Sequence, residues 1–255
     1  MARAGFRHAF TTRLGGVSPA PFDSLDFALG RGQSGSLAEN QARLARAVGF
    51  DPSRLHQAVQ VHGRALLVAD GDPRSMLALE ADAFVAEPGT EHAVAVRVAD
   101  CVPVLVADPA SGRVAAAHAG WRGVEAGVVP ATLRKMAESA GSGPSAGFLA
   151  AIGPCIGPCC FEVSAEVGQR IVAVSTERAI ARRYEAGGGA PKMRIDLRAA
   201  VRAQLEALGL VPEAIDDVPS RGPDGCTRCD SERFYSFRRD ADASGRLLGV
   251  IVAGG

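Results

Sequence analysis

Three side chains able to bind a borderline metal ion stand in comparable settings along the chain. His62 lies in Gln60-Val61-His62-Gly63, Cys101 in Ala99-Asp100-Cys101-Val102-Pro103, and His118 in His118-Ala119-Gly120-Trp121-Arg122-Gly123. A catalytic zinc commonly has three protein ligands and a fourth position open to water or substrate, and imidazole with thiolate suits it. Each residue falls at the end of, or at a break in, an apolar run that reads as a strand. A sheet edge can therefore gather the three and hold them rigidly. Gly63 and Gly120 permit close approach of backbone or ligand. The spacing forms no local motif of the H-E-x-x-H type. On residue types alone, a buried thiol and hydrogen-bonded core histidines account for the same positions.

Further phrases extend over most of the chain. They are Phe10-Thr11-Thr12-Arg13 with Gly15-Gly16-Val17-Ser18, Ala81-Asp82-Ala83, Ile152-Gly153-Pro154-Cys155-Ile156, Cys160-Phe161-Glu162-Val163, Cys226-Thr227, and Arg233-Phe234-Tyr235-Ser236-Phe237-Arg238-Arg239. With the three phrases above, in this order, they resemble the bacterial laccase-domain family. That family was long labelled multicopper polyphenol oxidase and was later associated with purine nucleoside phosphorylase activity. The resemblance implies that His62, Cys101 and His118 share one zinc. It also implies a purine nucleoside and phosphate as substrates: adenosine, inosine, guanosine or methylthioadenosine cleaved by phosphorolysis, with adenosine deamination alongside. The chain departs from the family pattern at Asp26, Gln41, the Gly-rich stretch 30–36 and Pro130.

Polyphenol oxidation does not suit the residues. His8, His56, His62, His92 and His118 are the five histidines, and no H-x-H pair occurs among them. They cannot furnish a blue-copper site plus a multinuclear copper cluster, although a single copper can replace zinc adventitiously. An open zinc suits deamination, in which water attacks C6 of adenine while a carboxylate moves a proton. Asp100 is the candidate for that role, with a structural carboxylate as the equal alternative. Phosphorolysis needs phosphate held by cations. Arg13, in a glycine-flanked turn segment, is the first candidate. Arg122, at a helix N-terminus, is the second, and Arg238 with Arg239 the third. Gln60 is a candidate nucleoside contact. A competing reading makes Cys101 the nucleophile of a cysteine hydrolase editing peptidoglycan precursors. A non-enzymatic reading is a metal-dependent nucleoside-binding module.

The remaining cysteines are Cys155, Cys159 and Cys160 in one cluster and the Cys226-x-x-Cys229 pair. Cys226 and Cys229 have zinc-knuckle-like spacing, but no second pair lies nearby in sequence, and Cys155, Cys159 and Cys160 could complete four ligands only if the fold brought them close; the reading is buried thiols, or a disulfide formed after purification. Trp121 reads as a core residue.

Hydrophobic periodicity predicts helices over 37–48, 123–140, 163–184 and 196–208. Ser36 and Glu39 read as a capping box for the first, and Gly49 as its C-cap. Pro130 should kink the second helix or restart it, and Gly209 should close the last. Strands are expected at 57–69, 93–98, 102–107, 113–118, 147–152 and 246–253. Asp108-Pro109-Ala110-Ser111-Gly112 marks a turn between two of them. The irregular mixture predicts an α+β fold, one domain over 1–255 with mixed β-sheets flanked by helices. The Gly/Ser-rich stretches 30–36, 141–147 and 187–189 read as surface loops.

The 255 residues are 47% hydrophobic and 22% charged, a globular composition. The 28 basic and 28 acidic residues cancel, which argues against nucleic acid or an anionic membrane as partner. Residues 1–10 carry no apolar signal core, and no segment reaches the length of a membrane span. A cytoplasmic location and reduced thiols are expected. Nothing marks an obligate protein partner.

Overall fold

Short apolar runs punctuated by turns give, in chain order, β1 (His8–Phe10), α1 (Ser34–Val48), β2 (Leu55–His56), β3 (Leu66–Val68), α2 (Pro73–Met76), β4 (Ala83–Ala86), β5 (Ala93–Val98), β6 (Val102–Ala107), β7 (Val114–Ala119), α3 (Trp121–Ala126), α4 (Val128–Ala140), β8 (Leu149–Ile152), β9 (Glu162–Ser164), α5 (Ala165–Ala173), β10 (Ile180–Glu185), β11 (Pro191–Ile195), α6 (Leu197–Ala207), β12 (Ile215–Asp217), α7 (Phe237–Asp240) and β13 (Leu247–Val252). This computed structural model describes residues 1–30, 34–140, 147–185, 189–217 and 225–254. Most of the Gly/Ser-rich stretches read as surface loops, namely 31–33, 141–146 and 187–188, lie outside the described residues.

The strands form a four-stranded sheet ordered β1-β13-β5-β2, a six-stranded sheet ordered β12-β8-β6-β7-β4-β3, and a small sheet ordered β10-β11-β9. The two larger sheets mix parallel and antiparallel pairs, and the small one is antiparallel. The larger sheets stack face to face through Phe84, Val94, Val96, Leu105, Ala116 and Ile251. The outer face of the six-stranded sheet packs Val85, Val104 and Ala117 against Val128, Leu133 and Met136 of α4 and Val201 and Leu205 of α6. On the opposite side, Leu44 of α1 joins Ala95, Leu248 and Val250. The result is a helix–sheet–sheet–helix stack in the expected α+β class. It explains why β6, β7 and β13 are buried at every position and read as continuous apolar runs.

The β6–β7 hairpin turns where the sequence placed the turn. Asp108 accepts from the Ala110 N–H at 3.0 Å and from the Ser111 hydroxyl at 2.6 Å, and Gly112 takes φ 80°. Gly127 at φ 81° separates α3 from α4, and Pro130, in the first turn of α4, lacks an N–H that the helix would leave unpaired anyway. Gly49 and Gly209 take the positive φ expected after α1 and α6.

Three expectations are corrected. The helix at 163–184 is only α5. Residues 163–164 end β9, and 180–185 form β10, whose hairpin partner β11 supplies backbone hydrogen bonds that a helix would forgo. The strand at 57–69 is broken, because the Asp82 carboxylate rather than a neighbouring strand takes its backbone N–H groups at 61–63. Ser36 lies inside α1 rather than at its N-cap, and Glu39 pairs instead with Arg43 at 2.8 Å.

Candidate metal centre and cavity

The antiparallel hairpin gathers the first two ligand candidates. Pro103 stands opposite His118 and Val102 opposite Ala119, so Cys101, just before β6, sits beside the end of β7. His62 arrives from the segment between β2 and β3 and is clamped by Asp82. That buried carboxylate accepts from the backbone N–H of His62 at 2.9 Å and of Gly63 at 2.7 Å. Asp82 itself precedes β4, which pairs with β7. One imidazole nitrogen of His62, one of His118 and the Cys101 Sγ all lie within 4.8 Å of one another. The two rings meet edge to face at 4.8 Å between centroids.

These residues fit a metal ion. His118 Nδ1 donates to Asp82 Oδ1 at 2.8 Å, which fixes the ring and directs Nε2 as the metal-facing atom. A Cβ at Gly120 would stand 2.9 Å from both Cys101 Sγ and His62 Cδ2, so only glycine leaves the ligands room to converge. His62 (φ 61°) and Asp100 (φ 91°) occupy the left-handed region that non-glycine residues rarely adopt. Without a metal, burial would raise the Cys101 thiol, but the charge of His118 and hydrogen bonds from His118 and His62 outweigh it and bring it to about 6. Burial would likewise lower His118, yet the Cys101 charge and the Asp82 hydrogen bond push it up to about 9. Asp82 is held below the usual carboxylate range because the hydrogen bonds of His118 and the 62–63 backbone overcome its burial.

The three residues open onto a cavity of about 620 Å³. Gln60, Asp100 and Arg238 also line it, whereas Arg13 and Arg122 do not. Arg13 binds the Asp23 and Ser231 carbonyls and stacks on Tyr235 at 4.7 Å. Arg122 folds over Trp121 at 4.4 Å, and Trp121 packs against the main core. The Gln60 amide is engaged at both ends, donating to the Arg97 carbonyl and accepting from the Arg97 N–H, each at 2.8 Å. Asp100 accepts from the Thr227 hydroxyl and from the Arg238 N–H, both at 2.6 Å, one at each carboxylate oxygen. Its structural role is therefore the better supported: it braces the turn that presents Cys101. Arg239 is likewise occupied by backbone carbonyls, including those of Thr227 and Phe234.

Two cavity arginines were missed in the sequence. Arg97 projects from β5, and burial followed by the charge of Arg246 lowers it to about 10. Its Nη1 has no hydrogen-bond partner among the described residues. The signal was a single charge inside the apolar run Ala93–Val98. Arg246 lines the same wall, and Asp26, one of the departures from the family pattern, sets its position by accepting the Arg246 N–H at 2.7 Å. Phe161, Phe237, Leu77 and Val59 supply apolar wall.

The cysteine reading is corrected as well. The fold closes the sequence gap and brings Cys159 and Cys160 to Cys226 and Cys229, with Cys159 and Cys229 exposed rather than buried. Only Cys155 stands apart, as a buried thiol.

Two stacked mixed sheets carry an imidazole–thiolate cluster that could hold a metal ion at one end of the larger sheet, with an arginine-lined cavity over it, in an α+β architecture. Residues 7–254 match the family described as multi-copper polyphenol oxidoreductase laccase, and the chain belongs to that family. A purine nucleoside phosphorylase of Streptomyces coelicolor is 41% identical over 97% of this chain and 95% of its own length. The purine nucleoside phosphorylase YfiH of Escherichia coli is 36% identical over 94% of this chain and 91% of its own. The crystal structure of YlmD from Geobacillus stearothermophilus superposes with a TM-score of 0.84 at 30% identity, covering 99% of this chain and 93% of that one.

Proposed function

We propose that this chain is a zinc-dependent purine nucleoside phosphorylase with adenosine deaminase activity, acting as one domain in the cytoplasm. The observation that carries the proposal is the shared cavity: His62, Cys101 and His118 open onto the same space as Arg97, Arg238 and Arg246. His62, Cys101 and His118 would hold the zinc, with Asp82 orienting His118. When bound, zinc supplies a Lewis acid and lowers the pKa of a coordinated water. The relatives' printed names supply the substrate class.

In phosphorolysis a phosphate oxygen attacks the anomeric carbon, the bond from that carbon to the purine nitrogen breaks, and the base leaves with the electron pair and takes up a proton. Nucleoside and phosphate thus become base and sugar 1-phosphate. The chain's own contribution is placement and charge. Arg97 and Arg246 are like charges at one wall, and a phosphate dianion relieves their repulsion. Phe161 and Phe237 offer apolar faces to the purine and ribose, and excluding water there favours phosphate over hydrolysis. Among the described residues no helix is long and apolar enough to cross a membrane.

The thiolate–imidazolium pair of metal-free Cys101 and His118 favours a second reading, the cysteine hydrolase. Incubating metal-quantified protein with adenosine, with and without phosphate, and separating products by liquid chromatography tests both. Adenine formed only with phosphate supports phosphorolysis, and inosine in both samples supports deamination. Absence of both products from zinc-loaded protein would refute the nucleoside reading. Hydrolase activity that survives chelation would favour the alternative.

A further inference from the structure

Joined to Asp100 through the Thr227 hydroxyl is a second sulfur cluster that the reaction above does not use. The turn before β9 contributes adjacent Cys159 and Cys160, and the segment before α7 contributes Cys226 and Cys229. All four Sγ atoms lie within 4.8 Å of one another, with Cys159–Cys229 at 3.7 Å and Cys160–Cys229 at 3.3 Å. Sulfurs at the corners of a zinc tetrahedron, each ~2.3 Å from the metal, are about 3.8 Å apart. Around the cluster the polar contacts are those thiolates require. The Gly157 N–H donates to Cys226 Sγ at 3.2 Å, and Arg228 Nη1 stands 3.6 Å from Cys160 Sγ. Arg194 reaches the Cys159 carbonyl, bringing a second guanidinium to the edge of the cluster. A Cβ at Gly157 would press Cys226 Cβ at 3.2 Å and Cys159 Sγ at 3.3 Å, so the turn is closed up against the sulfurs.

We propose that Cys159, Cys160, Cys226 and Cys229 bind a second, structural zinc ion. Four protein thiolates leave no open position, so this site does no chemistry on substrate. Its effect is mechanical. Thr227, between two of the ligands, donates to Asp100 at 2.6 Å, and its carbonyl accepts from Arg239 at 2.9 Å. The zinc therefore staples two turns remote in sequence and, through Thr227, steadies the turn that carries Cys101.

The test uses the full-length chain purified with reductant. In a His62→Ala/His118→Ala variant, which lacks the imidazole ligands of the other site, one zinc per chain should remain, and X-ray absorption should show sulfur neighbours alone at ~2.3 Å. Adding Cys159→Ser/Cys229→Ser should remove it. A natively folded His62→Ala/His118→Ala variant free of zinc overturns the proposal. Site-resolved alkylation of the unsubstituted protein gives an answer independent of how the variants fold. Protection of the four cysteines that is lost on chelation supports the site. Alkylation of Cys159 and Cys229 before chelation, or a mass deficit showing disulfides in freshly prepared protein, overturns it.

Discussion

Asp82 Oδ1 lies 2.8 Å from His118 Nδ1, and the same carboxylate grips the backbone of His62. One side chain thus aims one ligand candidate and seats another. Asp82→Asn keeps a carbonyl acceptor but loses the charge that holds the ring. Weakening such an outer partner costs roughly 10–100-fold in metal affinity. Chelator competition should show a loss in that range while the far-ultraviolet dichroism stays native.

Gly120 stands directly against two of the ligand candidates. Gly120→Ala places a methyl 2.9 Å from both Cys101 Sγ and His62 Cδ2, closer than real Cβ contacts come. The ligands must splay apart. Metal content measured by mass spectrometry should fall well below that of the unsubstituted protein, with activity falling in proportion. Cys101→Ser removes a donor outright and should lower zinc and activity together; full retention of zinc at the imidazole site would exclude Cys101 as a ligand.

The Cys101–His118 pair also gives the metal-free protein a pH signature. Cys101 is depressed from 9.0 to about 6, so its stabilisation is complete above 9.0 and lost as pH falls through about 6. His118 is raised from 6.5 to about 9, so its stabilisation is complete below 6.5 and lost as pH rises through about 9. Both groups are charged only between these limits. The Cys101 contribution grows over the range in which the His118 contribution fades, so the two offset between about 6.5 and 9 and the signature is read in the thiolate itself. Its ultraviolet absorbance in chelated protein should appear as pH rises through about 6, and in chelated His118→Ala only at higher pH; a thiolate that forms only near 9 in the unsubstituted protein would rule out the ion pair.

Arg97 is expected to act on phosphate. A hydrogen bond to a charged group contributes about 1.5–3 kcal/mol, or roughly 10–100-fold in binding. Arg97→Gln should raise the KM for phosphate by that order while changing the KM for the nucleoside much less. Arg122→Gln, off the cavity and folded onto Trp121, should leave both close to unchanged. Equal effects of Arg97→Gln on both substrates would place it outside the phosphate site.

The hairpin that builds the centre was legible because β6 and β7 are apolar throughout and the Asp108–Gly112 turn has a local chemical cause. The three ligand candidates stood out because they sit at its open end or in motif phrases. What escaped depends on chain segments far apart in sequence. Asp82 matters through bonds to residues about twenty positions before it and 36 after. The four clustered cysteines come from segments some 70 residues apart, so the zinc-knuckle-like spacing of Cys226 and Cys229 could not by itself show which other cysteines meet them. Periodicity also misread 180–185, since the Ile-Ala-Arg-Arg-Tyr-Glu run has no clean two-residue alternation and declares itself a strand only beside β11. Arg13 and Arg122 were chosen for local setting, a turn and a helix start, while besides Arg238 the cavity took its arginines from β5 and from the approach to β13.

The position of β13 bears on how such a chain is made. It fills an interior slot of the four-stranded sheet, between β1 and β5, both of which are synthesised long before it. Until residues 247–252 are available, those two strands present unpaired edges to the surroundings. Arg246, one residue upstream, is missing for the same interval, so the cavity wall is completed only as the slot is filled. A nascent chain of this kind is expected to fold late and all at once, and to depend on holdase chaperones while it waits.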